Sequence, residues 1–70
     1  MTAAQRKQMI ERKRAGYTRR LREIREKYDM PALTNVQREK LLDLIMQVNG
    51  DAIVDIDLRA LHRLASRGLV

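Results

Sequence analysis

TNVQREKLLDLIMQVNG, residues 34–50, carries a helix start, a helix face and a helix stop in one run. Thr34 and Gln37 stand at capping-box spacing, in which the hydroxyl accepts from the backbone three residues on and the amide reaches back. Leu41, Leu44, Ile45 and Val48 follow at i, i+3, i+4, i+7, and Leu42 and Met46 widen the stripe. A stripe that wide suits a central helix packed on two sides. Asn49-Gly50 is a good C-terminal stop. Such a helix needs a partner before it and another after it, and the chain supplies both.

The preceding segment reads as one long helix from about Ala3 to Tyr28. Ile10, Tyr17, Leu21, Ile24 and Tyr28 fall on one stripe, and Glu23 and Lys27 form a favourable i,i+4 pair. Gly16 costs about 1 kcal/mol against alanine in mid-helix, so the part before it is expected to fray. Pro31 biases Met30 out of the helical region and ends the element.

Beyond Gly50, DAIVDID (51–57) reads as a short extended, strand-like segment. Asp57 then caps a third helix, about Leu58 to Arg67, whose Leu58, Leu61, Leu64 and Ala65 face inward. Gly68 stops it, with Leu69 folding back as in a Schellman motif. The expected fold is all-α: a single domain of three helices over residues 1–70, with one short strand segment. Seventy residues leave only a thin core, which favours a partner or a homodimer.

Charge is distributed unevenly. Residues 1–28 hold ten Lys/Arg against three acids, whereas residues 29–70 hold five against six. A one-sided basic excess points to a polyanion or an acidic protein surface. Arg6, Lys13, Arg20 and Lys27 recur every seven residues as a basic edge, with Arg12 and Arg19 beside it. Such a ridge follows a phosphate backbone. Tyr17 and Tyr28 could stack on bases, but tyrosines on a core stripe more often pack against leucines. The same stripe over residues 17–28 also has the spacing of a short dimer seam.

In the third helix Arg59, His62, Arg63, Ser66 and Arg67 share an outward face. Arginines there can read guanine edges or clamp phosphates. Cations near a helix C-terminus also serve the macrodipole alone, and Asp55 is placed to pair with Arg59.

QREKLLDLI (37–45), AIVDID (52–57) and LRALHRLASRGLV (58–70) together resemble the core of winged helix-turn-helix proteins. The resemblance covers residues 34–70. It implies DNA contact through Arg59, His62, Arg63 and Arg67 of the third helix. The family's short middle helix has no counterpart in GDAIVDID, and its wing would follow Val70, so a reduced version is expected.

Catalysis finds little footing. His62 is the only histidine, there is no cysteine, and no nucleophile stands at triad-like spacing. Asp51, Asp55 and Asp57 lack the glycine and terminal glutamate of a calcium loop. No Gly-rich phosphate cradle is present. The expectation is no enzyme, no cofactor and no metal. No apolar run approaches the ~20 residues of a membrane span, and charges interrupt the position of a signal peptide. A cytoplasmic location follows as an expectation.

The leading reading is a small DNA-binding transcriptional regulator. Arg59, His62, Arg63 and Arg67 read duplex DNA, and Arg12, Lys13, Arg19, Arg20 and Lys27 clamp phosphates. The alternative is a phage- or mobile-element-type modulator that docks its arginine-rich helix on an acidic surface of a host protein. RNA binding is a third reading.

Overall fold

Among the described residues three helices order the chain: α1 at Ala3–Lys27, α2 at Asn35–Gln47 and α3 at Asp55–Ser66, with a 3₁₀ turn at Gly50–Ala52 between the last two. The computed structural model describes residues 2–70, and no strand occurs among them. The fold is the small all-α three-helix domain that the hydrophobic pattern predicts. The extended segment expected at 51–57 is instead the 3₁₀ turn, two extended residues and the first turn of α3.

Two capping boxes start the first two helices. Thr34 Oγ1 accepts from the Gln37 backbone at 3.1 Å, and the Gln37 side chain accepts from the Thr34 backbone at 3.0 Å. Thr2 and Gln5 repeat the device at 3.2 and 2.9 Å, from the same capping-box spacing in TAAQ. α1 runs unbroken through Gly16, so the capped start outlasts the glycine. Its end turns through Asp29, at φ 50°, and Met30 N–H closes back on Arg25 O at 2.9 Å. α3 ends in the expected Schellman motif: Gly68 has φ 74°, Leu69 N–H donates to Leu64 O at 2.9 Å, and Gly68 N–H to Ala65 O at 3.0 Å.

The start of α3 differs from expectation. The helix begins at Asp55 after Val54, whose side chain makes no cap bond, and Asp57 lies inside the first turn. Asp55 and Asp57 stabilise that turn as negative charges near the positive helix end.

One core joins all three helices. α1 contributes Tyr17, Leu21 and Ile24, α2 contributes Leu41, Leu42 and Ile45, and α3 contributes Leu58 and Ala65. Burying each large side chain is worth about 1.5–3 kcal/mol. The stripes are rotated slightly from those expected. In α2, Leu42 goes inside, Leu44 is half-buried and Val48 is exposed. In α3, Leu64 stays 39 % exposed, and His62, only 1 % exposed, takes the inward place between Leu58 and Ala65. Tyr17, Leu21 and Ile24 are consumed by this core, so the 17–28 stripe is no dimer seam. Ile10, expected on the core stripe, is 44 % exposed.

The first half of α1 leaves the core. Residues 2–13 are all exposed. Twenty-five residues at about 1.5 Å each span about 37 Å, close to the 39 Å longest extent of the molecule. The part of α1 before Arg14 therefore stands as an arm beyond the core.

Candidate functional site

Six of the ten cations of α1 fall into three groups. Arg14 reaches α2, where it donates to Asp43 at 2.7 Å and pairs with Glu39. Arg20 donates to the carbonyls of Gly50 and Ile53 and to Asp55 at 3.1 Å. Both tie α1 to the rest of the fold. Arg20 was expected on the phosphate ridge, and the bare carbonyls of the α2–α3 turn claim it instead. Arg12, Lys13 and Arg19 are exposed. Among the described residues no carboxylate lies within 4.0 Å of these three. Lys27 is also exposed, with its ammonium 5.3 Å from the Tyr28 ring centre.

The expected reading face of α3 is divided. Arg59 is half-buried, and its guanidinium carbon lies 3.8 Å from the centre of the Tyr28 ring. Its Nε is buried without a hydrogen-bond partner. The pair expected between Asp55 and Arg59 does not form, because Asp55 serves Arg20. His62 is a core residue, which corrects the reading of it as an outward contact. Arg63 and Arg67 remain exposed. Ser66 Oγ donates to Arg63 O at 2.7 Å, the local bond open to a helical serine. Asp55 and Asp57 place negative charge at the opposite, N-terminal end of α3.

The tyrosines pack as expected. Tyr17 is buried, and its hydroxyl donates to Asp51 at 3.0 Å. Burial first, and the Asp51 bond second, push the phenol pKa up. Tyr28 is half-buried against the core edge under Arg59.

A cleft of about 220 Å³ opens beside His62, between α1, the turn at 32–33 and the start of α2. Thr18, Arg22 and Arg25 line it from α1, and Arg38 from α2. His62 Nδ1 is buried with no partner. Burial, then the charge of Arg25, push the imidazole pKa down. Sequence reasoning passed over Arg22, Arg25 and Arg38. The i,i+3 spacing of Arg22 and Arg25 was visible, but only folding brings Arg38 and His62 to them.

Among the described residues no cluster of His, Cys, Asp and Glu could hold a metal ion, and no helix is long and apolar enough to cross a membrane. A scan against protein-family models finds no match, and no curated protein or solved structure matches the chain.

Proposed function

We propose that this protein is a DNA-binding module, not an enzyme, that holds the phosphate backbone of a duplex along α1. One observation carries the reading: Arg12, Lys13 and Arg19 stand exposed on a helix about 37 Å long with no acid paired to them. Arg12 to Arg19 spans about 10 Å of helix axis at about 1.5 Å per residue, within reach of one stretch of phosphate backbone. Lys27 extends the basic surface at the far end. Arg63 and Arg67 are the only members of the expected reading face left to reach base edges. They lie at the C-terminal end of α3, while Asp55 and Asp57 at its front repel phosphates. Backbone grip therefore outweighs base reading, and a regulator of this kind takes its specificity from few contacts. The helix-turn-helix resemblance stays part of this proposal.

Fluorescence anisotropy against random duplex DNA, with a pool of genomic fragments as second ligand, tests the reading. The expected result is binding that weakens steeply with salt, with modest enrichment of fragments that Arg63→Ala abolishes. No binding even at low salt would overturn it.

A second reading rests on Met9 and Ile10, 40 % and 44 % exposed on the same arm. Apolar side chains among cations suit an acidic protein groove with a greasy floor. Under that reading Met9→Ser with Ile10→Ser abolishes docking, and under the first it leaves DNA binding intact.

A further inference from the structure

We propose that the cleft beside His62 is a binding site for a phosphoryl oxyanion, gripped by Arg22, Arg25 and Arg38 with the His62 imidazole at its inner wall. This site is separate from the outward cations of α1 and does not depend on them.

Charge comes first. Three guanidiniums line one small cleft, and among the described residues none has a carboxylate within 4.0 Å. Arg38 donates to the neutral Asn35 side chain at 3.1 Å, which leaves its charge uncompensated. Neighbouring arginines with free carboxylates in reach normally pair with them, as Arg14 and Arg20 do. An arrangement of like charges that excludes acids is complementary to an anion.

The buried histidine is the second, independent observation. His62 is 1 % exposed, lines the cleft, and has an Nδ1 with no partner. A buried polar atom left unpaired is costly, and a leucine would fill the same core position more cheaply. An oxyanion in the cleft gives a protonated imidazole what the protein alone does not, a negative partner.

Size then limits the ligand. About 220 Å³ holds roughly seven waters at about 30 Å³ each, and drug-sized ligands occupy about 300–1,000 Å³. The space suits a phosphoryl group with a few waters or a small attached fragment. Thr18 Oγ1 donates to Arg14 O at 2.8 Å and keeps its lone pairs, so the direct donors for an anion are the arginines, with the His62 imidazole acting through its charge at the inner wall.

The groups facing His62 across the cleft are Arg22 and Arg25 from α1 and Arg38 from α2, all cations. Burial first, and the Arg25 charge second, oppose its protonation, and a bound dianion reverses that field. Binding therefore takes up a proton at His62, and affinity rises as pH falls through the histidine range.

The test titrates the full chain with sodium sulfate, which keeps its charge where histidine titrates, and follows the His62 ring signals by NMR at several pH values. The expected result is a saturable shift at constant ionic strength, a higher His62 pKa with sulfate bound, and tighter binding at lower pH. Arg22→Gln and Arg38→Gln should each weaken sulfate about tenfold, the loss of one charge-assisted hydrogen bond. Lys40→Gln removes the same charge outside the cleft and should change nothing. No saturable shift, or an equal loss in Lys40→Gln, would overturn the site. Failure here leaves the DNA reading standing, since no nucleic acid is present. Repeating the titration with inorganic phosphate, then with short duplexes bearing or lacking 5′-phosphates, supports the site in either case and separates a free phosphate from a nucleic-acid end as its source.

Discussion

The guanidinium of Arg59 lies 3.8 Å from the centre of the Tyr28 ring, joining the middle of α3 to the end of α1. This contact decides what Arg59 does. A cation stacked on an aromatic face and partly stripped of water contributes up to about 2 kcal/mol. Arg59→Ala should therefore lower stability by about 1–2 kcal/mol in urea unfolding and leave fragment discrimination unchanged. Loss of discrimination at unchanged stability would return Arg59 to the reading face.

Arg20 and Arg19 are adjacent in sequence and should behave oppositely. Arg20→Ala strips the Gly50 and Ile53 carbonyls and Asp55 of a partner, and hydrogen bonds to a charged group are worth about 1.5–3 kcal/mol. Arg20 is 29 % exposed, so the lower end applies. Arg19→Ala should leave stability within about 0.5 kcal/mol, as surface changes do. Chemical denaturation of both variants checks this.

Two glycines should answer alanine with opposite signs. A Cβ on Gly50 would sit 2.6 Å from Ile45 Cγ2 and 2.7 Å from Tyr17 Cζ, with the ring held by the Asp51 bond. Gly50→Ala should cost about 1–3 kcal/mol, the range for overpacking. Gly16 has open space in mid-helix, and Gly16→Ala should add up to about 1 kcal/mol. Thermal melts of the two variants should move in opposite directions.

Acid should weaken the fold through His62. Burial and Arg25 lower its folded pKa below the unfolded value of about 6.5. The unfolded chain then binds the proton more readily, so this contribution is complete above about pH 6.5 and is lost as pH falls toward the folded pKa. One proton is worth at most about 1.4 kcal/mol per pH unit. Melting temperatures across that range should fall with acid, and added sulfate should reduce the fall. An unchanged melting temperature would contradict the burial of an uncharged His62.

These behaviours divide along the line between local and tertiary structure. The limits of α1 and α2, the capping box at Thr34 and the stop at Gly68 were legible because each is set within a few residues. The three-helix arrangement was legible because the stripe on α2 is wide enough for two neighbours. His62 was not. Leu58, Leu61, Leu64 and Ala65 define an apolar side, but a rotation of part of a turn exchanges Leu64 for His62, and periodicity does not fix that angle. Arg20 and Arg59 likewise read as free cations until the 3₁₀ turn and Tyr28 are placed against them. Ala52, Ile53 and Val54 form an apolar run with the look of an extended segment, whereas the chain uses the turn there to bring Gly50 against Tyr17.

The central claim is that Arg12, Lys13 and Arg19 hold a phosphate backbone. The slope of log affinity against log salt, measured with one random duplex for the wild type and for the Arg12→Ala, Lys13→Ala, Arg19→Ala triple variant, tests it most directly. Each phosphate contact contributes about 0.9 to that slope. The expected result is a triple variant that folds normally and loses between about 2 and 3 in slope. Equal slopes for the two proteins would contradict the claim and place the function of this basic arm elsewhere.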